Sequence, residues 1–240
     1  MTKKFIICGD SHFTDDLRYP KQSFGEILAE RNNWEYTNLA REGMSNFGIA
    51  LQIDHAINLK PDILVFRPTV WGRFDIPIKG RTYDKSLGLA NVKFNAQGRS
   101  TRLEDLCETP NIICESASSI NSQYYEVMTK DQDDAMKEYV VNLYDEGIKR
   151  QIDCWCISDA CRRLLNSGIP FLIFTEFLYN QGPYHMNDIK WVPEINRVDY
   201  SDFSLFSLPI NKNTTFHYNP SDALTIADYT EKRIFELILA

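Results

Sequence analysis

A serine on a tight turn and a histidine near the far end of the chain are the groups best suited to do chemistry together. Gly9-Asp10-Ser11-His12 directly follows a short apolar run, Lys4-Phe5-Ile6-Ile7-Cys8. Glycine and aspartate favour tight turns, and a serine placed there exposes its hydroxyl at a strand end. A helix start just after it would offer backbone N–H groups to a developing oxyanion. Gly-Asp-Ser is also ordinary turn chemistry, so the tripeptide alone fits a simple strand-to-helix connection equally well. His217 stands in His217-Tyr218-Asn219-Pro220, ahead of the last helical pattern. Imidazole titrates near neutrality and is a suitable general base for a serine. Taken alone, such a histidine reads as a surface or helix-start residue.

The elements that must bring these groups together alternate in type. Lys4 to Cys8 suits a buried parallel strand. Phe24, Ile27 and Leu28 repeat at helical spacing, and Trp34 to Leu39 reads as a second strand. A helix is predicted after Ser45, with Ile49, Ile53 and Ile57 at four-residue steps. Pro61-Asp62 introduces Ile63-Leu64-Val65-Phe66, the strongest buried-strand signal in the chain. Residues 75–131 show no sustained period and read as an irregular insertion. Val140, Tyr144, Ile148, Ile152, Trp155 or Cys156, Ala160 and Leu164 then form one stripe on a long amphipathic helix. Gly168-Ile169-Pro170 ends it, and Phe171 to Phe174 is another buried strand. After a second irregular stretch, Pro220 opens a last helix carrying Leu224, Ala227, Ile234 and Leu237, where its missing N–H does no harm.

Strands alternating with helices imply parallel pairing through right-handed crossovers. The expected fold is a single domain over residues 1–240, a three-layer α/β/α sandwich on a parallel, flavodoxin-like sheet. Ligands of such sheets bind beyond the carboxyl ends of the strands. Ser11 after the first strand, Gly43 after the second, and Trp71 and Arg73 after the third should therefore face one edge.

Together these blocks resemble the SGNH/GDSL hydrolase superfamily. Gly9-Asp10-Ser11 matches its nucleophile turn, and Asn38-Leu39-Ala40-Arg41-Glu42-Gly43 is similar to the block that supplies an oxyanion-hole glycine. His217-Tyr218-Asn219-Pro220 is similar to the block that carries the catalytic histidine. The resemblance implies an ester hydrolase in which Ser11 is nucleophile and His217 general base. The backbone N–H groups of Ser11 and Gly43 would then bind the oxyanion, with Asp10 supporting the turn.

Two positions depart from that pattern. The third block of the family ends in Gly-x-Asn, but Thr69 replaces the glycine here and Trp71 the asparagine. Losing one oxyanion donor typically costs about 100- to 1000-fold in rate. Asn46 and Arg73 are candidate substitutes, although an asparagine there could also cap the following helix and an arginine could pair with Asp75. The triad acid, normally three residues before the histidine, is replaced by Thr214. A backbone carbonyl, Asp202 or Asp222 would have to orient His217 instead. A Ser-His dyad is workable, because the acid orients and stabilises the base without accepting its proton. The same departures would mark an SGNH-like domain that has lost catalysis and binds a ligand or partner. A nucleotide-binding domain is disfavoured, since Gly9-Asp10-Ser11-His12-Phe13 offers one glycine and no phosphate loop.

Composition narrows the partners. The net charge is -7, and no basic stripe is present to neutralise nucleic-acid phosphates. No apolar run approaches the roughly 18 residues of a membrane span, and the N-terminus lacks the apolar stretch of a signal peptide. A cytoplasmic protein with reduced cysteines is expected. Cys154 and Cys156 fall on different helix faces, and neither they nor the histidines have metal-ligand spacing. No metal or cofactor is expected. The polar, aromatic insertion, with Tyr83, Tyr124 and Tyr125, points towards a small-molecule or carbohydrate ester as substrate.

Overall fold

The computed structural model describes residues 2–15, 19–41, 44–69, 73–77, 112–116, 130–174, 198–201 and 220–239. Seven strands occur there: β1 (Lys4–Cys8), β2 (Glu35–Asn38), β3 (Ile63–Phe66), β4 (Arg73–Pro77), β5 (Ile112–Ser116), β6 (Phe171–Phe174) and β7 (Val198–Ser201). The helices are α1 (Phe24–Asn32), α2 (Asn46–Leu59), α3 (Lys130–Asn142), α4 (Glu146–Ser167) and α5 (Pro220–Leu239).

Five strands form one parallel sheet in the order β2-β1-β3-β6-β7. This is the doubly wound, flavodoxin-like order, in which the chain reverses direction across the sheet beside β1. Alternation along each strand sorts the core into two layers. Ile6, Cys8, Leu64, Phe66, Phe171 and Ile173 face α2 and α4, through Ile49, Ile53, Ile157, Ala160 and Leu164. Phe5, Ile7, Ile63, Val65, Leu172 and Phe174 face α1 and α5, through Phe24, Leu28, Ile226 and Ile234. Full burial of such side chains contributes about 1.5–3 kcal/mol each, so these strands are held from both faces.

Local signals set the helix ends. Ser23 and Glu26 form a capping box at α1, satisfying two otherwise orphaned donors. The Ser45 hydroxyl caps α2 by accepting from the Gly48 N–H. Gly168, at φ 72°, terminates α4, and its N–H bonds back to Leu164 and Leu165. A left-handed residue at that position is best supplied by glycine.

Three expectations change. The stripe from Val140 to Leu164 belongs to two helices. α3 ends at Asn142 and Asp145 caps α4, its side chain accepting from the Ile148 N–H. Ile148, Ile152 and Trp155 are 63%, 44% and 55% exposed, while Asp153, Cys154, Ile157 and Cys161 face the core. The four-residue period was real but continued across a break, and it favoured the exposed face over the first turns of α4, while its later members Ala160 and Leu164 are fully buried. Second, the stretch read as irregular contains β4 and β5, paired antiparallel with Arg73 opposite Ser116 and Pro77 opposite Ile112. Their pairing spans a long sequence separation, which local periodicity does not report. Third, β7 lies in the other stretch read as irregular and adds an edge strand beside β6. Among the described residues no helix is long and apolar enough to cross a membrane.

Candidate active site

Ser11 sits at the carboxyl end of β1, the strand flanked by β2 and β3 where the sheet order reverses. Ligands of open α/β sheets bind at this switch point. The turn carrying it is closed by its own backbone, the Phe13 N–H donating to the Asp10 carbonyl at 3.0 Å. The Thr14 hydroxyl donates to the same carbonyl at 3.2 Å. Phe13 then inserts into the core edge-on to Phe24 and Phe174, so the segment just after Ser11 is pinned. Helix α1 starts only at Phe24. The expected helix start directly behind the serine is therefore replaced by a turn. The His12 N–H donates to Asp10 Oδ1 at 3.1 Å, so the N–H groups of both His12 and Phe13 close the turn itself.

Gly9 permits the approach of strands that makes this turn possible. It has φ +156°, and a Cβ there would lie 3.3 Å from Phe13 and 3.4 Å from the Arg67 carbonyl. Cys8 precedes it and is fully buried. Burial pushes its thiol well above the ordinary range, with Arg41 opposing only weakly. A protonated, buried thiol is a poor nucleophile.

Asp10 is 1% exposed and its carboxylate is enclosed by donors. Arg67 Nη1 donates to Oδ1 at 2.7 Å, and the Thr69 hydroxyl donates to Oδ2 at 2.7 Å. His12 Nδ1 lies 3.2 Å from Oδ1. Arg67 is itself fully buried, so the two charges neutralise each other inside the protein. Breaking such a pair from one side typically costs about 3–5 kcal/mol.

Helix α2 supplies two further clamps. Gln52 accepts from the Gly9 N–H at 2.7 Å and donates to the Gly9 carbonyl at 3.1 Å. Asn46 treats Thr69 in the same way, accepting from its N–H at 2.9 Å and donating to its carbonyl at 3.0 Å. Asn46 Nδ2 also donates to Asp153 Oδ2 at 3.2 Å, and Lys149 pairs with the other oxygen of Asp153. One helix thus holds the exits of both β1 and β3.

The expected site residues divide accordingly. Ser11 and Asp10 lie together at the switch point. Asn46 does not cap α2, a role taken by Ser45, and its amide is committed to Thr69 and Asp153. It braces the β3 exit. Arg73 lies at the start of β4, opposite Ser116. Gly43, Trp71, Thr214 and His217 lie outside the described residues. Sequence reading missed Arg67, Gln52, Thr69 as a donor, Asp153 and Lys149. Arg67 carried a signal, since a lone arginine directly after an apolar strand needs a buried acid. Gln52 carried one too, as an amide between Ile49 and Ile53 on a core-facing helix. Among the described residues no group of three or more His, Cys, Asp or Glu side chains could hold a metal ion.

No protein-family model matches the chain, and no curated protein matches it. Solved structures do. The psychrotrophic esterase EstA from Pseudoalteromonas sp., in a structure inhibited by monoethylphosphonate, is 10% identical with TM-score 0.51, covering 99% of this chain and 100% of that one. A family two carbohydrate esterase from Cellvibrio japonicus is 11% identical with TM-score 0.50, covering 98% of this chain and 61% of that one. At such identities the likeness concerns the fold, and with the 2-1-3 start of the sheet and Gly9-Asp10-Ser11 at its switch point it gives the chain a divergent SGNH/GDSL hydrolase-like fold.

Proposed function

We propose that the protein is a serine ester hydrolase in which Ser11 attacks an acyl carbonyl and His217 accepts its proton. The backbone N–H groups of Ser11 and Gly43 receive the tetrahedral oxyanion, and water then releases the acyl group from the serine. Arg73 and Trp71 are supporting residues in this reading, and His217 works without a carboxylate at Thr214. The observation that carries this reading is the fixed nucleophile turn. Asp10 is locked by Arg67 and Thr69, and Gly9 by Gln52, at the edge where this fold class binds ligands. Preorganisation of that kind is what a covalent mechanism requires. A short acyl ester of a small molecule or carbohydrate is the substrate class proposed, in keeping with the esterases that share the fold.

A second reading draws on the same network. The Thr69 hydroxyl bonds Asp10, and the Asn46 amide bonds Thr69 and Asp153. Neither therefore adds the third oxyanion donor. An SGNH-like domain that binds a ligand without turning it over would show this arrangement. A fluorophosphonate probe separates the two readings, since it reports an activated serine without knowledge of the substrate. The hydrolase labels at one site, and labelling disappears in Ser11→Ala and falls strongly in His217→Ala. A folded wild-type protein that does not label is the binding domain. Labelling that persists in Ser11→Ala puts the nucleophile elsewhere.

A further inference from the structure

We propose that Thr69, with Asn46 and Asp153 behind it, is a positioning relay that sets the Asp10 carboxylate and through it the turn bearing Ser11. This rests on the reading of Ser11 as nucleophile. The relay starts on α4, where the Asp153 carboxylate is fully buried and paired with Lys149. Asp153 accepts from Asn46 Nδ2 at 3.2 Å, which fixes the orientation of that amide. With Nδ2 so directed, Oδ1 must face the Thr69 N–H, and it accepts from it at 2.9 Å. Nδ2 also reaches the Thr69 carbonyl at 3.0 Å. Thr69 is thereby held by both backbone polar groups, in a segment that leaves β3 without a sheet partner for them. Its hydroxyl reaches Asp10 Oδ2 at 2.7 Å. The opposite oxygen of Asp10 receives the His12 N–H at 3.1 Å, which closes the turn around Ser11. Asp153, Asn46, Thr69 and Asp10 are each 1% exposed or less, so water cannot replace a donor lost among them. The relay connects the α2/α4 layer to the nucleophile turn and stands apart from the direct Arg67–Asp10 pair. Arg67 supplies the charge, and Thr69 fixes the rotation of the carboxylate about it.

The test combines fluorophosphonate labelling kinetics, hydrogen exchange of a peptide covering the Ser11 turn, and thermal unfolding of each variant. Thr69→Val is nearly isosteric and leaves Asp10 Oδ2 without its donor. Its labelling rate at saturating probe should fall about ten- to hundredfold, with probe affinity little changed, because a displaced nucleophile loses rate and not binding. Exchange of the His12 and Phe13 amides should rise. Thr69→Ser restores the hydroxyl and should return both readouts to within about threefold of wild type, a factor worth under one decade of rate. Asn46→Asp sets two carboxylates against each other and should reproduce the loss. Adding Asp153→Asn returns an amide–carboxylate pair and should recover labelling at least in part. Should Asn46→Asp fail to fold, the Thr69 pair decides alone. Thr69→Val that labels and exchanges like wild type, or Thr69→Ser as defective as Thr69→Val, overturns the relay. If wild type itself does not label, the reading of Ser11 falls first. The relay is then judged on exchange, and an unchanged turn in Thr69→Val overturns it as well.

Discussion

Two carboxylates bracket the turn that carries Ser11, and they are held by opposite means. Asp10 has a guanidinium at 2.7 Å, a threonine hydroxyl, and tethers running into α2 and α4. Asp15 faces the other layer and is held by neutral donors. The Ser23 hydroxyl donates to its Oδ1 at 2.7 Å and the Tyr36 phenol at 2.9 Å, with Asn38 as a further partner. Burial raises the Asp15 carboxyl above its ordinary value against those hydrogen bonds, and Glu26 pushes in the same direction. Burial first, and then the charge on Asp15, also drives the Tyr36 phenol well above its usual range. One end of the turn is thus a buried ion pair with a direct cationic partner. The other is a carboxylate whose charge is only partly compensated. The difference teaches that the two ends should respond differently to mutation and to acid.

Removing the cation on the Asp10 side should have the largest effect. Arg67→Met leaves a buried, unpaired carboxylate and should cost about 3–5 kcal/mol, read as a lowered urea midpoint. Adding Asp10→Asn should recover much of that loss, since the uncompensated charge is gone. If Arg67→Met alone is nearly neutral, the ion pair does not hold that end.

A steric change comes next, on the Asp15 side. A Cβ at Gly25 would lie 2.3 Å from the Tyr36 hydroxyl and 2.6 Å from Ile7 Cδ1. Gly25→Ala should cost about 1–3 kcal/mol by overpacking and should push the phenol away from Asp15. Calorimetric unfolding measures the first effect, and ultraviolet titration of Tyr36 the second, as a fall back towards the usual phenol range.

Ser23→Ala removes one donor to Asp15 together with the cap of α1, which receives the Glu26 N–H at 3.2 Å. About 1–2 kcal/mol should be lost, visible in chemical denaturation. A loss as large as that of Arg67→Met would abolish the contrast between the two ends.

The smallest effect tests the electrostatics directly. Because the folded carboxyl of Asp15 titrates above the unfolded one, the native state binds this proton more tightly than the unfolded chain does. Stability from this group therefore falls as pH rises from the ordinary aspartate range through the raised value, and it returns on acidification. Asp15→Asn should change stability by less than about 1 kcal/mol and should flatten that part of the stability curve, followed by melting temperature across mildly acidic pH. An unaltered slope in Asp15→Asn would assign the pH response to other carboxyls.

Much of the scaffold was legible because it depends on short-range patterning. Buried parallel strands read as unbroken apolar runs at Ile63–Phe66 and Phe171–Phe174, and Pro220 and Ser45 mark helix starts through backbone chemistry local to each residue. The first turns of α4 were misread for the same reason that the reading worked elsewhere, including at Ala160 and Leu164 further along that helix. Ile148, Ile152 and Trp155 keep a helical period, and a period does not say which face the sheet will take. On that helix the core instead accepted Asp153, made tolerable by Lys149 and Asn46.

From its sequence alone the chain determined the alternation of strands and helices, the place of Gly9-Asp10-Ser11 at a strand end, and hence its place at the edge where ligands of such sheets bind. These follow from apolar periodicity and from turn and cap residues, whose physics acts over a few positions. Only the tertiary structure decided how that turn is held. Arg67 meets Asp10, Asn46 meets Thr69 and Gln52 meets Gly9 across separations of 57, 23 and 43 residues. A buried polar group must find a partner or cost several kcal/mol, yet nothing local states which partner it will be. That choice is made when β1 and β3 pair side by side and α2 closes over their ends.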